Sequence, residues 1–212
     1  IRDLAIGAVE QGLDELGVSD HFMVLPSGTT LSPNMPADTI LGYFTELAEV
    51  AEEFREKLTI RFGLEAEFAP AMVNDLSDIL RKYPLDFVIG SIHFVDDFPV
   101  DESADYWEAL TEPERNNVIR AYWNYISEMA KSGIFDVVGH IDLYKKFGYL
   151  PTVDISADIE HALDAVAASG MAVEINTAGI YKPICEMYPS PAILSECHKR
   201  QIPLIINSDA HE

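Results

Sequence analysis

Residues 86–93 read DFVIGSIH, an apolar run of strand length that closes on a serine and a histidine. A nearly continuous apolar run fits a strand covered on both faces, the habit of parallel sheets. Outward from it the same pattern recurs. Strands are expected at 18–21, 59–67, 136–140, 171–176 and 203–207. Between them, 3.6-residue periodicity predicts helices at about 1–16, 38–57, 72–82, 112–132, 157–169 and 192–200. In the first of these Leu4, Ala8, Val9, Leu13 and Leu16 share a face, and Gly17 is expected to stop it. A loop through Pro26, Gly28, Pro33 and Pro36 and an irregular acidic stretch, 95–105, interrupt the alternation. Strands alternating with helices imply parallel neighbours joined by crossovers, so the class is α/β. A βα barrel and a doubly wound open sheet both satisfy this pattern.

The ends of the expected strands carry the chemistry. In order they deliver Asp20-His21, Glu65 and Glu67, His93, His140 with Asp142, Glu174 and Asn176, and Asp209-Ala210-His211. In βα barrels the carboxyl ends of strands are where catalytic residues gather. A lone histidine after a strand is usually a hydrogen-bonding residue. Here four of six histidines stand at strand ends, while His161 and His198 fall in expected helices and read as ordinary residues. Mixed imidazole and carboxylate donors suit Zn, Mn or Fe. Glu65 can bridge two cations about 3.5–4 Å apart. Asp20 and Asp142, flanking ligand histidines, are candidates to orient them, or to cap the following helices.

Composition narrows the function. The 212 residues suffice for one domain, and 36 acidic against 14 basic side chains give a formal net charge of −22. Such a surface repels nucleic-acid phosphates, so a nucleic-acid partner is not expected. No apolar run is long enough to cross a bilayer, so no membrane partner is expected either. Cys185 and Cys197 form no CxxC pair, which fits a reducing, cytoplasmic setting. Oligomeric state is not readable.

Six segments, GVSDHF (17–22), GLEAEF (63–68), GSIHFVDDFPVD (90–101), FDVVGHIDLYKKFG (135–148), EINTAGIYKP (174–183) and NSDAHE (207–212), resemble the polymerase and histidinol-phosphatase (PHP) superfamily. GSIHFVDD and NTAG point to its histidinol-phosphate phosphatase branch. The resemblance implies a distorted seven-stranded, TIM-like βα barrel holding two or three divalent metal ions (Zn, Mn or Fe). It implies Glu65 as bridging carboxylate, Asp209 on the first metal, His93 and His140 on the second, and His21 and His211 on the third. Glu65, His93, Asp209 and His211 are thereby the catalytic set. The expected reaction is hydrolysis of a small phosphate monoester, histidinol phosphate foremost, as in histidine biosynthesis, with a metal-bound hydroxide attacking phosphorus. Asn176, Lys145 (or its neighbour Lys146) and Lys182 are the expected substrate contacts; the branch has an arginine where this chain has Tyr181 followed by Lys182. The family's first strand, with its His-x-His, would precede Ile1, and a closing helix would follow His211. The chain is therefore expected to be a single PHP-type domain, 1–212, trimmed at both ends. A PHP-type nuclease or phosphodiesterase, and a metal-binding domain with a lost catalytic site, are the competing expectations.

Overall fold

The computed structural model describes residues 1–24 and 39–211. Pro26, Gly28, Pro33, Pro36 and Asp38 of the expected loop and helix start lie outside the described residues. The chain divides into two compact units, Ile1–Glu67 with Ala71–Ile89, and Phe68–Pro70 with Gly90–His211.

In the first unit, α1 (Arg2–Glu10) is shorter than its periodicity promised. Gly12, at φ 74°, donates to the Val9 carbonyl while Leu13 donates to that of Ala8, a Schellman closure. The stop is therefore Gly12, not Gly17, and Leu13 is 48% exposed instead of helical and buried. Gly17 lies inside β1 (Glu15–Phe22). Then α2 (Ile40–Phe54) buries Ile40, Tyr43, Phe44, Leu47 and Val50, one helical stripe. β2 (Thr59–Glu67) runs parallel to β1 from the rung Glu15↔Thr59 to Phe22↔Ala66. The Tyr43 hydroxyl lies 2.8 Å from the Gly63 carbonyl of β2 and accepts the Asp20 N–H of β1 at 3.3 Å, tying the helix to both strands. α3 (Val73–Leu80) leads to β3 (Phe87–Ser91). The Phe87 ring rests on bare backbone: a Cβ at Gly63 would lie 2.3 Å from its Cζ, and one at Gly17 3.0 Å.

The second unit takes up the end of β3. The expected irregular acidic stretch contains an antiparallel hairpin, β4 (Phe94–Val95) with β5 (Phe98–Pro99), turned at Asp96, which has φ 52°. α4 (Ala104–Ala109) follows, capped by Ser103. α5 (Glu112–Ser132) has a Thr111–Glu114 capping box at one end and Gly133 in the left-handed region at the other. β6 is only Val137–Val138, because beyond it the chain turns away at Gly139-His140. α6 (Ser156–Ser169), β7 (Ala172–Asn176), α7 (Pro191–Lys199) and β8 (Leu204–Asn207) complete the alternation. β6 with β7 and β7 with β8 are parallel, the last from Val173↔Leu204 to Asn176↔Asn207. Trp107, Trp123, Tyr122, Ile126 and Met129 form the centre of this unit's core.

Among the described residues the large sheet has the strand order β1-β2-β3-β6-β7-β8, with β4-β5 separate. The α/β expectation holds. No described helix is long and apolar enough to cross a membrane.

Candidate metal centre

Parallel register decides what the first unit offers. His21 and Glu65 occupy one rung of β1–β2, so imidazole and carboxylate leave the same strand end together. His21 Nδ1 stands 3.8 Å from Glu65 Oε2, and Glu65 is buried. Asp20 accepts the backbone N–H of His21 on Oδ1 at 2.9 Å, so this hold on His21 runs through the main chain.

The second unit brings His93 and His140 together from the ends of β3 and β6, with ring centroids 5.1 Å apart and planes at 68°. His140 is 4% exposed and also meets the Tyr188 ring. The hairpin returns the chain to His93, where Val100 donates to the His93 carbonyl at 2.9 Å. Next along, Asp101 accepts Lys146 Nζ on Oδ2 at 3.1 Å and on its carbonyl at 2.6 Å. Burial pushes the Asp101 carboxyl up, but the charges of His93, Lys146 and His140 outweigh it and hold the group below the usual carboxylate range. At the end of β8, Asp209 takes φ 53°, and His211 Nδ1 lies 3.7 Å from Asp209 Oδ1 and 2.9 Å from its carbonyl oxygen. His211 is 60% exposed.

Each unit thus sets imidazole nitrogens near carboxylate oxygens, donors of the kind that suit a divalent zinc-like ion. The expected supporting residues are placed differently. Lys145 is 2% exposed, and its ammonium is held by Asp142 at 3.0 Å, Glu186 at 3.4 Å and the Met187 carbonyl at 2.8 Å. All three of these contacts are to protein groups. Asp142 accepts Ser190 N–H on the same Oδ2 that Lys145 meets, and burial pushes its carboxyl up against the pull of Lys145. Asn176 is buried, donating to Glu174 and accepting from Ala178 N–H. Lys182 is exposed.

Two participants went unassigned in the sequence. Glu174 binds the end of three strands, and Asp101 holds Lys146 beside the two histidines. The i, i+2 spacing of Glu174 and Asn176 on one strand face was the available signal for the first.

The PHP domain family model matches residues 1–178. A Deinococcus radiodurans protein named a probable histidinol-phosphatase is 36% identical over 211 residues, spanning 100% of this chain and 80% of the relative. The histidinol-phosphatase of Bacillus subtilis is 28% identical over 233 residues, spanning 100% of this chain and 87% of the relative. Among solved structures, HisK from Listeria monocytogenes matches with a TM-score of 0.87 at 22% identity, over 99% of this chain and 88% of that one. The histidinol phosphate phosphatase of Lactococcus lactis, complexed with zinc, L-histidinol and phosphate, matches with a TM-score of 0.81 at 22% identity, over 99% of this chain and 79% of that one. The solved structures share the fold, and the chain belongs to the PHP domain family, in its histidinol-phosphatase branch.

Proposed function

We propose that this chain is a metal-dependent phosphatase that hydrolyses histidinol phosphate to histidinol and phosphate. The observation that carries the reading is the His93–His140 pair, two imidazoles 5.1 Å apart at successive strand ends. The 36%-identical relative named for this activity supports it. Glu65, His21, Asp209 and His211 join the two histidines as ligands of two or three ions, of which zinc is the first choice because the Lactococcus lactis enzyme binds it. Manganese and iron suit the same donors. A bound divalent cation lowers the pKa of water and offsets charge on phosphoryl oxygens.

The chain's own side chains do the rest. Glu65, buried in the rung with His21, keeps a carboxylate facing the histidine. Lys182 and Lys146 supply cationic charge for the phosphate, Lys146 being aimed by Asp101. Lys145 and Asn176 act from beneath, as part of the buried support of these loops. The protein works in the cytoplasm, on a small anionic substrate that a net charge of −22 would otherwise repel.

The test is phosphate release from histidinol phosphate, abolished by chelator and restored by zinc or manganese. His140→Ala should lower kcat/KM at least 100-fold, on the order of 3 kcal/mol in transition-state binding. Near-wild-type turnover by that variant, or cleavage of oligonucleotides in place of monoesters, overturns the reading.

A further inference from the structure

Glu174 stands on β7, 2% exposed, with both carboxylate oxygens engaged. Oε2 accepts the His140 N–H at 2.8 Å and Asn176 Nδ2 at 3.1 Å, while Oε1 accepts Asn207 Nδ2 at 2.7 Å. The three donors come from the ends of β6, β7 and β8. Each amide donor is itself locked. The Asn207 side-chain oxygen accepts Ser208 N–H at 2.9 Å and Asp209 N–H at 3.5 Å, and that of Asn176 accepts Ala178 N–H at 3.0 Å. Neither amide can turn over without facing a donor with a donor.

A carboxylate spent in this way acts on its neighbours. His140 takes φ 20°, an uncommon sign for a residue other than glycine, and its N–H points at Glu174. The direction of the His140 side chain starts from that peptide. The Asp209 segment is reached by the second arm, through Asn207. We propose that Glu174 is a positioning residue for the metal centre: it sets the His140 imidazole through the His140 amide and the Asp209 turn through Asn207. The proposal rests on the reading of His140 and Asp209 as ligands. It assigns a function to a residue that does not itself touch the ion.

The experiment is zinc affinity of the metal-stripped full chain, measured by competition with a chromophoric chelator below the melting transition. Glu174→Gln keeps the shape but turns one acceptor oxygen into a donor, which must then face either the His140 N–H or the Asn207 amide. Zinc should bind about 10–100-fold more weakly, the usual loss for a group that orients a ligand, and excess zinc should restore kcat. The double exchange Glu174→Gln with Asn207→Asp reverses the sense of the Oε1 contact and should recover most of the affinity. A residue that only stabilises the fold would lower Tm of the metal-free chain and leave the affinity unchanged. His140→Ala, measured in parallel, separates the two levels. If it leaves zinc affinity intact, the ligand reading fails and the proposal falls with it. If it weakens zinc while Glu174→Gln does not, the positioning role alone is overturned. Should Glu174→Gln not fold, Asn207→Ala removes one arm only, and wild-type affinity in that variant also overturns the proposal.

Discussion

The β1–β2 pair and the segment after β6 each deliver a histidine to a strand end, by opposite means. On β1–β2 the backbone ladder does the placing. His21 meets Glu65 because the rungs run unbroken from Glu15↔Thr59 to Phe22↔Ala66. β6 itself has only two residues, and its ladder with β7 ends at Val138↔Val173. There buried charges substitute: Glu174 grips the His140 amide, and Asp142 with Lys145 and Ser190 pins the turn that follows. Ladder placement is insensitive to most side chains but demands room for close packing. Charge placement tolerates an irregular backbone, at the risk that losing one member strands the others.

The largest effect should come from breaking the charged side. Asp142→Ala takes from buried Lys145 its carboxylate at 3.0 Å, leaving Glu186, the Met187 carbonyl and the Tyr188 ring, and should cost about 3 kcal/mol, at the low end for a broken buried pair. In a domain of this size that is a fall of roughly 6–12 °C in Tm by calorimetry. Replacing both partners, Asp142→Leu with Lys145→Met, should recover most of the loss; no recovery would mean that the charges do more than satisfy each other.

On the ladder side the sensitive point is space. Gly63→Ala drives a methyl into the Phe87 ring and should cost about 1–3 kcal/mol of overpacking. Phe87→Leu in the same chain should return part of it, which urea denaturation would measure. If Gly63→Ala is silent, the ring is looser than the ladder picture requires.

The smallest effect gives a local baseline. Thr111 holds the Glu114 carboxyl below its ordinary value near 4.5 by hydrogen bonds from its hydroxyl and its backbone N–H. A carboxyl depressed in the folded state contributes stability that is present above the unfolded pKa and lost as pH falls through the folded one. The Tm gap between wild type and Glu114→Gln should therefore be open at pH 7 and close as pH falls below the ordinary carboxyl value and through the lowered folded one. A gap independent of pH would remove the capping carboxylate as its cause.

What the residues disclose by themselves follows the same division. α5 is legible from end to end because its signals are local: Thr111, Pro113 and Glu114 at the start, Gly133 at the stop. β2 is legible because its strand pattern is long. α1 misleads because Leu13 and Leu16 keep the helical period past Gly12, and only the left-handed turn ends it. The β4–β5 hairpin is invisible because two-residue strands carry no alternation. Strand-end histidines stand out in the chain, but Lys145 and Lys146 are adjacent and chemically alike. One faces Asp142 and the other Asp101 only because a single 3-10 turn, Leu143–Lys145, sends them apart. The role of Glu174 is hard to read for a related reason, since two of its three partners, His140 and Asn207, are distant in sequence.

The burial of Lys145 also has a chemical consequence. Of the seven lysines, it alone is buried, so an acylating reagent cannot reach its amine while the turn is closed. Its labelling then requires the turn after β6 to open first. Under dilute reagent, the rate at which Lys145 is modified, read by mass spectrometry against the other six, becomes a clock for local opening at His140's own strand end.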